Sequence, residues 1–300
     1  MASHPSTKIY ELIREHGIVW HKKRQEFLGS MIGGIIKSRS VTFSEIADKM
    51  ELPIKEESIE RRIQDFFQKV SIDFLGLGML MLSFVHHGKV LISIDRTEWD
   101  FGGTQVNILC AVVSVGKMAV PLYFEMLDNN SGNSNAEDRI GLFKSLIGIV
   151  GKDRIEAVVM DREFIGREWL SWLAREGIEF CARVPKSHKI TFVDGERLSA
   201  GELMEGRAAF TAHGAVVDGT VVNLSLSYGK DGELLYLIGS AKAKCLAGIY
   251  KRRWSIEVFF QALKGRGFNM EKSCLRCLKK YRKLFAIVCL AYTLCWAMGI

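Results

Sequence analysis

VLISID, residues 90–95, sets three β-branched residues and a leucine around one serine and then ends in a carboxylate. A short apolar run of this composition reads as a buried strand; an acid at a strand end is common, so by itself it does not mark a site. IEAVVMD, residues 155–161, repeats the arrangement and ends in Asp161. Between the two, 105–115 and 118–125 flank Gly116-Lys117 and complete a three-stranded antiparallel meander with 90–95. The Gly/Asn/Ser stretch 129–135 is a turn, 136–150 a helix, 167–176 a second helix and 178–184 another strand. Strand, helix, strand and helix after a meander predict an α/β fold, a mixed sheet with flanking helices.

Outward from this core the texture changes twice. The first 85 residues show helical periodicity and no strand alternation. Within them Thr42 to Met50 opens on a capping residue and breaks near Leu52-Pro53, and Ser58 to Lys69 follows as a helix carrying Arg61, Arg62 and Lys69. A short helix, a turn and a basic helix suit a helix-turn-helix-like DNA contact; a plain helical bundle accounts for the same pattern. From 186 to 240, short alternating runs separated by Gly and Asp turns predict a β-rich insertion. The chain therefore divides into an N-terminal helical DNA-binding region (1–85), a first part of the core (86–185), the insertion (186–240) and a second part of the core (241–300).

Three hundred residues with 48% hydrophobic and 25% charged side chains exclude a disordered chain, and only four prolines leave no proline-rich linker. The formal net charge is +7, yet Tyr250 to Lys283 alone holds eleven Lys or Arg against Glu257 and Glu271, a local surplus of +9. Basic charge gathered in one segment points to a polyanion, with nucleic acid first among them; a solvated lysine-rich helix pair is the plainer account. The seven cysteines, an odd number, sit in apolar stretches and read as thiols in a reducing compartment. Cys274-x-x-Cys277 has no second pair and no nearby His, which argues against zinc. His86-His87 reads as part of a domain junction. No secretory signal opens the chain, and the apolar run 284–300 reads as a core helix.

The chemistry concentrates in YKRRWSIEVFFQALK, residues 250–264, where one acid stands among four bases. On a helix Tyr250, Arg253, Glu257 and Lys264 fall within about 60° of one another, while Ile256, Phe259, Phe260 and Leu263 form the buried face. Trp254 lies off the polar stripe and is expected to pack. A surface Arg253–Glu257 pair one helical turn apart is the plainest reading of the stripe. The alternative joins Glu257 to Asp95 and Asp161 as three carboxylates brought together from separate segments. Such oxygen donors suit Mg²⁺ or Mn²⁺, and a two-metal site serves in-line attack on a phosphodiester. Without cations a like-charge cluster is costly.

Tyr250-x2-Arg253-x3-Glu257-x6-Lys264 resembles the YREK signature of the DDE transposases of bacterial insertion sequences, in the branch called insertion sequence family four. Ser93-Ile-Asp95-Arg-Thr-Glu-Trp99, Gly132-Asn-Ser-Asn135 and Met160-Asp161-Arg-Glu-Phe-Ile-Gly166 resemble further segments of that family, and the likeness runs from about residue 40 to the end. The resemblance implies a ribonuclease-H-like core with the insertion before the catalytic Glu. It also implies that Asp95, Asp161 and Glu257 are the catalytic ligands of Mg²⁺ or Mn²⁺, and that Tyr250, Arg253 and Lys264 hold DNA phosphates. The implied reaction is water attack at the element's ends and transfer of the freed 3′-hydroxyl to target DNA. The implied partners are double-stranded DNA at both sites and a second copy in the DNA complex, in the bacterial cytoplasm beside the nucleoid and away from membranes. Competing readings are a structure-specific nuclease on the same core, which needs no such stripe, and a decayed copy that only binds DNA. The run 284–300 ends without a polar tail or an evident cap, from which a shortened reading frame is expected.

Overall fold

The computed structural model describes residues 5–85, 87–100, 105–127, 132–229, 232–240, 245–265 and 267–299. His86, 129–131 of the expected turn, Arg266 of the basic segment and Ile300 lie outside the described residues. Five helices open the chain: α1 (Pro5–Glu15), α2 (Lys22–Ser38), α3 (Phe43–Lys49), α4 (Glu56–Lys69) and α5 (Phe74–Ser83). The amphipathic α4 buries Ile59, Ile63, Phe66 and Phe67 and leaves Arg61, Arg62 and Lys69 exposed. Asp73 caps α5 through a 3.1 Å bond from the Leu75 amide.

The core is a ten-stranded mixed sheet. β1 (Val90–Asp100), β2 (Gln105–Val115) and β3 (Met118–Met126) form the expected antiparallel meander, turning at Gly116 with φ +61°. α6 (Ala136–Val150) follows, opened by a reciprocal Asn135–Asp138 capping box with both bonds at 2.9 Å. Next come β4 (Ile155–Met160), α7 (Arg167–Arg175), β5 (Phe180–Arg183), β6 (Lys189–Thr191), β7 (Arg197–Ser199), α8 (Ala200–Leu203), β8 (Ala209–Val217), β9 (Thr220–Tyr228) and β10 (Leu234–Gly239). The chain closes with α9 (Leu246–Lys251), α10 (Trp254–Leu263) and α11 (Leu278–Met298). The strand order is β3-β2-β1-β4-β5-β10-β9-β8-β6-β7, so the strands of 186–240 continue the same sheet: β10 pairs with β5 and β9 with β10.

Strand alternation gives the sheet two working faces. Leu91, Ala157 and Val159 pack against Ile249 and Tyr250 of α9, whereas on the opposite face Met160 accepts a 3.1 Å bond from the Trp169 indole of α7. The same alternation puts Asp95 and Asp161 on the α9–α10 face and Arg96 on the α6–α7 face.

Three expectations change. Asp95 does not end its strand; β1 runs five residues further because β2 stays paired with it to Asp100. The stretch 250–264 is not one helix: it tightens into i→i−3 bonds at Arg252 and Arg253 (3.1 and 2.9 Å), which separates α9 from α10. The last helix does carry a cap, since Gly299 takes the left-handed conformation at φ +71° and its amide bonds back to Trp296. α11 is long and apolar enough to cross a membrane but buries most of its length, with Phe285 to Leu294 packed into the core. It lies against α2, α4, α5 and β3, which places it at the centre of the molecule.

Candidate active site

The parallel ladder between β1 and β4 ends at Ser93↔Val159. Carried two residues on, that register sets Asp95 level with Asp161, both past the last paired residues. Each aspartate turns Oδ1 back to accept its own following amide, Arg96 N at 2.8 Å and Arg162 N at 2.8 Å. Their Oδ2 atoms face the guanidinium of Arg253, 2.8 Å away for Asp95 and 3.9 Å for Asp161. Glu257, one turn along α10, pairs with the same guanidinium. One arginine, 12% exposed, thus gathers all three expected carboxylates from three separate segments.

Tyr250 completes this group, its hydroxyl donating to Asp161 Oδ1 at 3.2 Å while its ring lies under the Arg253 guanidinium. Burial pushes its phenol up to about 12, with Arg253 opposing. Burial also raises Asp95 to about 6 in spite of Arg253. Burial works to lower the Arg253 pKa, but Tyr250, Asp95, Asp161 and Glu257 together raise it, so it is a fixed positive charge.

The helix that carries Glu257 is set on the sheet by a chain of buried hydroxyls. Ser93 and Ser114 lie 3.2 Å apart, Ser114 and Ser255 lie 2.8 Å apart, and Ser114 donates to the Arg252 carbonyl at 3.2 Å. These bonds hold the α9–α10 break against β1 and β2, which fixes where α10 begins. Ile256, Phe259, Phe260 and Leu263 then bury as the periodicity requires.

Not every expected site residue joins the acids. Lys264 sits past the end of α10, its ammonium 5.9 Å above the Trp99 ring, and among the described residues it makes no ion pair with the three carboxylates. Trp254, expected to pack, is 61% exposed, because at about 100° per residue it points nearly opposite Ile256, Phe259, Phe260 and Leu263 on α10. Arg62 and Lys69 line a basic groove with Lys23 and Arg24 over Phe27 and Phe66; Lys69 also pairs with Asp65 at 2.8 Å. Sequence reasoning missed Arg183 on β5, whose charge is opposed by burial but supported by Glu233, Tyr250 and Asp161. Arg96, Glu163 and Ser93 lie in segments that the sequence already singled out but were given no role, and Ser114 and Ser255 have no local signal. A basic residue beside each aspartate was visible, but what it reaches was not.

Three carboxylates around a single cation are the donor set of a hard divalent ion. They fit one chemically, although as the side chains stand no three His, Cys, Asp or Glu among the described residues are close enough to share it, because the guanidinium lies between them.

Residues 86–294 match the family described as the transposase DDE domain, and the chain belongs to that family. Its fold is similar to that of piggyBac transposase in a synaptic complex with hairpin DNA, at 11% identity and TM-score 0.52, covering 91% of this chain and 65% of that one. The chain thus spans just under two thirds of that relative's length. Endonuclease V from Bacillus subtilis is 12% identical, covering 68% of this chain and 84% of that one at TM-score 0.29. No curated protein matches the chain.

Proposed function

We propose that the chain is a transposase that cuts DNA at the ends of a mobile element and joins them to a target by phosphodiester hydrolysis and transesterification. The observation that carries this reading is the gathering of Asp95, Asp161 and Glu257 around Arg253 within the Y-x2-R-x3-E-x6-K pattern. Asp95, Asp161 and Glu257 are the residues that would hold Mg²⁺ or Mn²⁺, which would supply activation of the attacking oxygen and charge neutralisation at the phosphate. Arg253 and Tyr250 steady the three carboxylates in this structure and carry the donors that would bind a DNA phosphate beside them. Lys264, at the end of α10, and Arg183, on β5, add positive charge on either side for the DNA backbone.

The core is read as ribonuclease-H-like and the chain as a member of insertion sequence family four, a bacterial cytoplasmic protein working at the nucleoid. The piggyBac relative is seen with hairpin DNA, which supports double-stranded DNA as partner here, bound in the active complex by two copies of the chain. The groove with Lys23, Arg24, Arg62 and Lys69, together with neighbouring Arg61, is read as a second contact with phosphates.

A labelled duplex carrying the element's own ends, incubated with protein and MgCl₂, tests the reading. Asp95→Ala, Asp161→Ala and Glu257→Ala are each expected to lower cleavage by about 10³-fold, some 4 kcal/mol of transition-state stabilisation, with DNA affinity nearly unchanged. Cleavage that survives all three substitutions would falsify it.

A further inference from the structure

Backbone pairing between β1 and β4 stops two residues before the aspartates, so something other than the ladder must set the distance between Asp95 and Asp161. Arg253 does so on the α9–α10 face. On the α6–α7 face a second connection spans the same gap. Arg96, next to Asp95, places its guanidinium 3.3 Å from Oε2 of Glu163, two residues after Asp161. The pair is well enclosed, with side chains 14% and 21% exposed. We propose that Arg96 and Glu163 are positioning residues, a clip that fixes the separation of Asp95 and Asp161 and thereby the site's affinity for a divalent cation.

Both halves of the clip are themselves held. Arg96 also pairs with Glu98 and donates to Asn107 Oδ1 at 3.2 Å. Asn107 in turn donates to the Gly132 carbonyl at 2.9 Å, and the Gly132 amide returns to Glu98 at 3.0 Å. On the other side the 3-10 turn Arg162–Phe164 is gripped by Arg139, a residue 5% exposed, which donates to the Glu163 carbonyl at 3.1 Å and to Ser134 Oγ at 2.9 Å. Its guanidinium lies 5.0 Å over the Phe164 ring. The clip therefore joins two rigid bodies, the β1–β2 pair and the α6–turn unit, at the level where the aspartates diverge from the ladder. A planar fork suits this role because two fixed donors define direction as well as distance, which a lysine does not. Partners behind metal-binding side chains act in this way: they do not touch the ion, yet they set its ligands.

The inference rests on the reading of Asp95 and Asp161 as metal ligands, so the experiment separates the two. The first arm needs no metal. With the exposed Cys245, Cys274 and Cys277 changed to Ser, Asp95→Cys and Asp161→Cys are combined, and disulfide formation with oxidised glutathione is timed. Adding Arg96→Gln or Glu163→Gln is expected to slow closure by about fivefold, since a looser pair of strands lowers the effective concentration of one thiol at the other. The second arm titrates Mn²⁺ into the DNA-free protein and follows the free ion by paramagnetic resonance. Arg96→Gln and Glu163→Gln are expected to weaken binding by about tenfold, with the double substitution no worse than either alone. Arg96→Lys, which keeps the charge and the fold, is expected to fall between. Unchanged closure rates in folded variants overturn the clip. Failure of the otherwise unaltered protein to bind Mn²⁺ overturns the metal reading instead, and the closure rates still decide whether the clip exists.

Discussion

Arg253 is the residue on which the candidate site depends, because it is the counter-charge for three acids that would otherwise repel one another. Its removal leaves Asp95 and Glu257 partly buried without their counter-charge, a loss of about 3 kcal/mol by comparison with other broken buried pairs. Arg253→Met is therefore expected to lower the melting temperature in metal-free buffer, and MgCl₂ to recover more of it than in the unaltered protein. Equal metal-induced shifts in the two proteins would contradict this. Asp95 adds a pH dependence of known sign. The folded chain keeps its proton up to about pH 6, while the unfolded chain releases it near 3.8. Rising pH between those values therefore favours unfolding, at about 1.4 kcal/mol per pH unit. Asp95→Asn has no proton to lose, so its stability relative to the unaltered protein is expected to increase between pH 4 and pH 7, and denaturant melts at the two pH values measure it. A difference that stays flat would mean that Asp95 titrates normally.

At the scale of elements, the placement of α9 and α10 decides whether Tyr250, Arg253 and Glu257 reach the aspartates. α9 approaches β10 at Gly239, where a Cβ would lie 2.4 Å from the Phe180 carbonyl oxygen and 2.6 Å from a Leu246 methyl. The nearer obstacle is the backbone of β5, so Gly239→Ala must part β10 from β5 as well as displace Leu246 at the start of α9, at a cost of about 2 kcal/mol. Tyr250 rides on that helix, and the variant is expected to lose cleavage as well as stability. The hydroxyl chain acts on the other helix. Ser255→Val leaves Ser114 with one fewer partner in a buried position, a cost of about 1–3 kcal/mol. It also releases the start of α10. Urea melts and cleavage rates on the same preparations measure both effects, and a Ser255→Val protein that is less stable but cuts normally would show that the chain only holds the fold together.

On the scale of the whole molecule, the N-terminal helices and the sheet share one hydrophobic core, joined through α11. Tyr281 and Phe285 of that helix pack on Trp99 of β1, and Lys283 donates to the Phe67 carbonyl of α4 at 2.9 Å. A shared core predicts one cooperative unfolding transition, seen at the same denaturant concentration by far-ultraviolet dichroism and by tryptophan fluorescence. Two separated transitions would mean that the helical region folds independently. The same juxtaposition brings the start of α11, with Lys279 and Lys280, near the end of α4. DNA binding is expected to weaken steeply with salt, and Arg62→Ala with Lys69→Ala to reduce the slope of log K against log salt by about two. An unchanged slope would remove the α2–α4 groove from the DNA surface.

The sequence by itself determined most of the elements and singled out the three acids that the fold brings together. Short, nearly continuous apolar runs end at or near Asp95 and Asp161, and the fixed intervals around Glu257 mark a third acid, because these signals are local and lie within a few residues. Length and apolar composition were likewise enough to place most of the run 284–300 in the interior, where 284–294 are buried and 295–299 are not. Tertiary structure decided what each polar residue touches. Arg253 is four residues from Glu257 but 158 from Asp95, Arg96 is 67 from Glu163, and Ser114 is 141 from Ser255. No periodicity carries information across such separations; the ladder that stops at Ser93 and the break between α9 and α10 follow from packing between elements. The acids are therefore written in the sequence, whereas the distances between them are set by contacts that exist only in the folded chain.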